Sequence, residues 1–135
     1  MADFCFKNVH PHGIFVEDCV KRAIVIATDM DYMEVQRGLN RHKKVTGAKA
    51  FNDKRNPDSY IENVLGAKPI SLPQSKMTVS EFVDLVASVK ENAPLIIGIK
   101  GHWTAALIEN GKGTVLDTWN CMNELVTEAW IFRKE

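Results

Sequence analysis

Glu17-Asp18-Cys19-Val20-Lys21-Arg22-Ala23-Ile24 joins an apolar run to a helix and puts a single cysteine at the joint. Ile14, Phe15 and Val16 read as an extended segment, and Asp18 is a residue type favoured as a helix N-cap. From Cys19 onward, Val20, Ala23, Ile24 and Ala27 recur at helical spacing, which predicts a helix over 19–28. A thiol in the first turn lies at the positive end of the helix dipole, beside N–H groups without intrahelical partners. That setting lowers a thiol pKa and favours the nucleophilic thiolate. The competing reading is a small buried hydrophobe, the ordinary fate of a free cysteine.

The elements downstream predict an α+β chain. A second helix begins near Asp31, with Asp31 and Glu34 in capping-box spacing, carries Met33, Val35 and Leu39 inward and ends near Lys44. Residues 45–56 read as a polar loop. Asn56-Pro57-Asp58 starts a short helix that Gly66 stops, and Pro69 to Leu72 reads as a short strand. Thr78-Val79-Ser80-Glu81 is a capping box opening a helix with Phe82, Leu85, Val86 and Val89 as its core face. Four strands follow, over 95–100, 103–109, 114–119 and 127–132, with Asn110-Gly111-Lys112-Gly113 as a hairpin turn. The expected organisation is a single domain over 1–135, with 1–17 as an extended arm and N-terminal helices on a C-terminal antiparallel sheet.

Composition narrows the function. No apolar run is long enough to cross a bilayer, and the acidic start Met1-Ala2-Asp3 lacks the layout of a signal peptide. Three cysteines, an odd number, suggest reduced thiols and a cytoplasmic setting. The formal net charge of zero provides no global field for nucleic acid or anionic membrane. Locally the balance differs. Arg37, Arg41, Lys43, Lys44, Lys49, Lys54 and Arg55 face only Asp53, so segment 37–55 carries +6 and the remainder −6. One reading is a solvated helix end whose cations complement the dipole; the other is a docking site for an acidic partner or a phosphate backbone.

Two stretches bear on Cys19. Gly101-His102-Trp103 puts a histidine at a strand start, and Leu116-Asp117-Thr118-Trp119 ends the next strand. In a hairpin centred near 111 or 112, paired residue numbers add to about 223, which sets His102 beyond Asp117 by a short offset. A carboxylate beside an imidazole fixes its tautomer and stabilises the imidazolium. With Cys19 facing that pair, nucleophile, base and orienter are all present, a chemistry that needs no cofactor or metal. Trp103 and Trp119 read as core or rim aromatics, with a cover over the His102–Asp117 bond as the alternative role of Trp119; Cys121 reads as a buried or surface thiol, and Cys5 as a core residue of the arm. A zinc site from Cys5, His10, His12 and Cys19 is the competing assignment, but the spacing matches no common finger.

The order Cys19, His102, Asp117-Thr118-Trp119 resembles the papain-like cysteine peptidase superfamily across roughly residues 8–121. Asp117-Thr118-Trp119 resembles the Asn-Ser-Trp of papain-type enzymes. Asp18-Cys19 resembles the Asp-Cys of NlpC-type peptidases, with Val20-Lys21 replacing their Ser-Gly. The set Asp18-Cys19-Val20-x-Arg22-Ala23 with Gly101-His102 is similar to small phage-encoded proteins. The resemblance implies a thiol hydrolase acting on a peptide, protein or amide through Cys19, His102 and Asp117. If phage-encoded, the protein would work in the host cytoplasm. It also implies an oxyanion-hole glutamine six residues before the cysteine, where this chain has Gly13; Asn8, His10 and His12 are the alternative donors. The contrasting expectation is an inactive papain-like fold that binds or inhibits a host partner through 37–55.

Overall fold

The computed structural model describes residues 2–14, 16–51, 53, 55–73 and 76–132. Its elements run β1 (Asp3–Phe6), α1 (Cys19–Thr28), α2 (Tyr32–Thr46), α3 (Arg55–Ser59), β2 (Lys68–Pro69), α4 (Val79–Val89), β3 (Ala93–Ile99), β4 (His102–Glu109), β5 (Lys112–Asp117) and β6 (Val126–Ile131). A π-helical turn, Tyr60–Val64, continues α3. The molecule is a mixed α+β structure. Among the described residues its sheet has six strands in the order β1-β5-β4-β3-β6-β2.

Strand β3 is apolar at nearly every position because both faces of the sheet are covered. Leu95, Ile97 and Ile99 face a core built with Val79, Phe82, Val83 and Val86 of α4. Ile96 faces the opposite core, where Ala23, Ile24 and Ala27 of α1 and Val35 and Leu39 of α2 meet Trp103, Ala105 and Trp130. The helices therefore lie on both sides of the sheet, α4 on one and α1 and α2 on the other.

Several expectations are corrected by packing. The sheet is mixed, since β1 pairs in parallel with β5, Asp3 beside Thr114 and Phe6 beside Asp117. The arm is thus partly a sheet edge, and Cys5 on that outer strand is exposed rather than in the core. Ile14 and Val16 form no strand and are exposed, while Phe15 lies outside the described residues. The short strand is Lys68–Pro69, paired with Ile131 and Trp130, instead of 69–72. On α4 the inward residues are Val79, Phe82, Val83 and Val86, and Leu85 and Val89 are exposed; on α2, Met33 is exposed. A helix lying on a sheet buries one stripe, and neighbouring elements choose which apolar residues fill it.

The capping chemistry holds at two helices. Thr78 and Glu81 form the reciprocal capping box of α4, and Asp31 accepts from the N–H groups of Met33 and Glu34. Segment 45–56 is tied down from inside by buried Asn56. Its amide donates to the carbonyls of Leu39 and Phe51 at 3.0 and 2.7 Å and accepts from Thr46 Oγ1 at 2.9 Å. Among the described residues, no helix is long and apolar enough to cross a membrane.

Candidate active site

Two tight turns set the strands that carry His102 and Asp117. Lys100-Gly101 joins β3 to β4, with Ile99 paired to His102 and Gly101 at φ +72°, a backbone conformation glycine adopts without steric cost. Asn110-Gly111 joins β4 to β5, with both residues at positive φ as a type I′ turn requires. Because the turn is centred there, one residue earlier than expected, paired numbers in β4 and β5 add to 221 instead of about 223. Continued beyond the last paired residues, that register brings Trp119 across from His102 and Thr104 across from Asp117. His102 and Asp117 are then diagonal neighbours on one face.

The bond between them is short. His102 Nε2 donates to Asp117 Oδ2 at 2.6 Å, and the second carboxylate oxygen accepts from the Thr118 N–H at 2.7 Å. The Trp119 ring meets the imidazole edge to face at 5.1 Å and stands on the solvent side, about half exposed. Asp117 is buried. Burial works against its charge, but the hydrogen bond and charge of His102, with smaller help from Thr104 and the Thr118 backbone, hold the carboxyl below its ordinary range.

Cys19 is the first residue of α1 and is half-buried. Its thiol and the His102 imidazole line one cleft and interact. With Nε2 committed to Asp117, the nitrogen left for it is Nδ1. Burial pushes the Cys19 thiol up, but hydrogen bonding to His102, the Trp103 backbone and the charges of His102 and Arg22 outweigh it, and the thiol sits below its ordinary value. His102 moves the other way: burial lowers it, yet Asp117 and Cys19 together raise it to about 9. Both shifts favour the charged forms, thiolate at Cys19 and imidazolium at His102, with Asp117 bracing the imidazolium.

Asp18 occupies the N-cap position but makes no side-chain cap, which corrects the expected role. Its buried carboxylate instead accepts from Arg22 Nε at 2.7 Å and from the Tyr32 hydroxyl at 2.8 Å. The leading N–H groups of α1 thus receive no hydrogen bond from the Asp18 side chain. No site role is expected for Arg22 or Tyr32 from the sequence; for Arg22 the sequence signals are its place in the Asp18-Cys19-Val20-x-Arg22-Ala23 set and its four-residue spacing from Asp18.

A cleft of about 480 Å³ opens beside Cys19 and His102, with Val20, Pro57, Asp58, Lys100, Thr127 and Glu128 along its walls. Of the suggested oxyanion donors of the arm, Asn8 donates to the Ile14 carbonyl at 3.0 Å and accepts from the His10 N–H, while His10 Nδ1 accepts from the His12 N–H. Gly13 sits at a turn with φ +65°. Cys121 is buried, its thiol directed at Asp117 Oδ2 over 3.9 Å. Among the described residues no three His, Cys, Asp or Glu side chains converge as a metal site. Of the cations of 37–55, Arg37, Arg41, Lys43 and Lys44 are on α2, Lys49 follows it, and Arg55 begins α3, the helix whose Pro57 and Asp58 line the cleft; Arg37, Arg41, Lys44, Lys49 and Arg55 are exposed, and Lys54 lies outside the described residues. Compared with family models, with curated proteins and with solved structures, the chain gives no match.

Proposed function

We propose that the protein is a cysteine-dependent acyl-transfer hydrolase, a peptidase or amidase of papain-like type, with Cys19 as nucleophile, His102 as general acid and base, and Asp117 as orienter. The observation that carries this reading is the 2.6 Å His102–Asp117 bond with the imidazole turned to a helix-start thiol. The Cys19 thiolate attacks a carbonyl carbon, and the oxyanion forms beside the Cys19 N–H at the uncapped start of α1. The His102 imidazolium gives its proton to the leaving group, and the C–N or C–S bond breaks. Neutral His102 then takes a proton from water as the water oxygen attacks the thioester carbon; the C–S bond breaks, the acid product leaves, and the Cys19 thiolate is restored beside the His102 imidazolium.

Site-resolved alkylation with iodoacetamide near pH 7 tests the reading. Exposure alone ranks Cys5 first, half-buried Cys19 second and buried Cys121 last. The expected order puts Cys19 first. Labelling of Cys5 ahead of Cys19 sinks the activated thiolate.

The second reading is a binding or inhibitory protein that keeps the fold and uses the basic surface. It is favoured by the exposed side chains of Arg37, Arg41, Lys44, Lys49 and Arg55. Cys19→Ala separates the two, because a binding protein keeps its biological effect in that variant.

A further inference from the structure

Arg22 is a buried arginine, 8% exposed, on the same first turns of α1 that carry Cys19. Arginine is rarely buried without a demanding set of partners, and here the set is unusually complete. Nε donates to Asp18 Oδ1 at 2.7 Å, and Nη1 donates to Thr118 Oγ1 at 2.7 Å and lies 3.4 Å from Asp117 Oδ1. Asp18 is held in turn by the Tyr32 hydroxyl from α2 at 2.8 Å. The planar guanidinium therefore spans from the start of the cysteine helix to the end of the strand that bears Asp117.

Stability alone does not account for this choice. A buried ion pair is often no more stabilising than well-packed apolar residues of the same volume, whereas its directional bonds specify one geometry. These bonds fix two things at once. They hold the Asp117 carboxylate from the side opposite His102, and they hold the turn that carries Cys19 at a set distance from that carboxylate.

We propose that Arg22 is a positioning residue, a clamp between α1 and the end of β5 that keeps the Cys19 thiol in register with the His102–Asp117 pair. The proposal rests on the acyl-transfer reading above and adds to it a residue that touches neither substrate nor the reacting sulfur. The clamp works through its forked shape, and its charge contributes separately by favouring the thiolate.

Site-resolved iodoacetamide alkylation of Cys19 across pH, with thermal melts of each variant, separates these contributions. Arg22→Lys keeps the charge and loses the fork. It is expected to slow alkylation at pH 7 about tenfold, the effect of moving the thiol midpoint up by about one unit. Arg22→Met loses charge as well and is expected to be slower still. Thr118→Val removes one arm of the clamp and leaves the Arg22–Asp18 pair; about threefold slower alkylation is expected, roughly half a unit. His102→Ala is the control for the underlying site. If His102→Ala slows labelling while Arg22→Lys and Thr118→Val keep the wild-type rate and pH profile, the clamp is overturned and the Cys–His reading stands. A lower Tm with an unchanged profile overturns the clamp in the same way, since only folding was affected. If Arg22→Lys fails to fold, Thr118→Val decides alone. An unchanged rate in His102→Ala overturns the site reading and the clamp with it.

Discussion

Cys19 and Cys121 border the same His102–Asp117 pair and titrate in opposite directions. The Cys19 thiol is drawn below its ordinary value, whereas burial pushes the Cys121 thiol up to about 11, with the Asp117 charge adding to the rise. Burial opposes the thiolate at both positions. The difference is what each sulfur faces: at Cys19 the cationic side of the pair and Arg22, at Cys121 the anionic side. A charged pair has two ends, and a thiol is activated at only one of them.

The largest way to break the comparison is to remove each sulfur. Cys19→Ala is expected to abolish hydrolysis of an acyl p-nitrophenyl ester or peptide amide, a loss on the order of 10⁴ or more in kcat. Cys121→Ala should leave kcat within about twofold, since the general acid and base remain in place, while opening a small buried gap that costs about 1 kcal/mol in a denaturant melt. Equal loss in both would mean that the two thiols are not distinguished as described.

Asp117→Asn changes both environments at once. It takes away the charge that raises Cys121 and the acceptor that braces His102, so the two thiol midpoints should approach each other. Turnover is expected to fall by roughly 10² to 10⁴, because the imidazolium loses its stabilising partner. Fluorescent-maleimide labelling of each cysteine across pH checks the convergence.

A pH series sharpens the contrast without mutation. Cys19 alkylation should begin below the range of an ordinary thiol, whereas Cys121 should stay unlabelled until about pH 11. Turnover should rise as the Cys19 thiolate forms and fall again near pH 9, where His102 loses the proton that the leaving group needs. Stability follows the same group. His102 binds its proton more tightly in the folded state, with a value of about 9 against an ordinary 6.5. Its contribution is therefore fully present below pH 6.5 and disappears as the pH rises through 9, which lowers Tm over that interval. A flat Tm across the window contradicts the coupling.

The smallest effect is expected at Trp119. Trp119→Ala removes the edge-to-face partner of His102, an interaction of about 0.5–1.5 kcal/mol. Because the ring shields only the outer side of the bond, a modest downward move of the His102 midpoint is expected, measurable by NMR titration of the imidazole.

Much of the architecture was legible along the chain because it depends on neighbours in sequence. The helix start at Cys19, the capping box of Thr78 and Glu81, the Asp31 cap and the Asn110-Gly111 turn are local patterns, and each is where its residues imply. His102 and Asp117 were recognisable as a pair because a short turn restricts which residues of two strands can meet. What the chain could not determine is every choice among distant partners. The register moved when the turn took the Asn-Gly positions able to hold positive φ. β1 joined the sheet in parallel beside β5, and α4 went to the face away from α1. Asp18 illustrates the reason most plainly. By residue type it is a helix cap, but its carboxylate accepts from Arg22 and Tyr32 instead of from the helix N–H groups. Local preferences amount to about 1 kcal/mol at a cap, and a buried charge left unpaired costs several times more. Sequence alone thus determined which residues stand at the helix start and the strand ends, and tertiary packing decided which side of the charged pair the thiol would face.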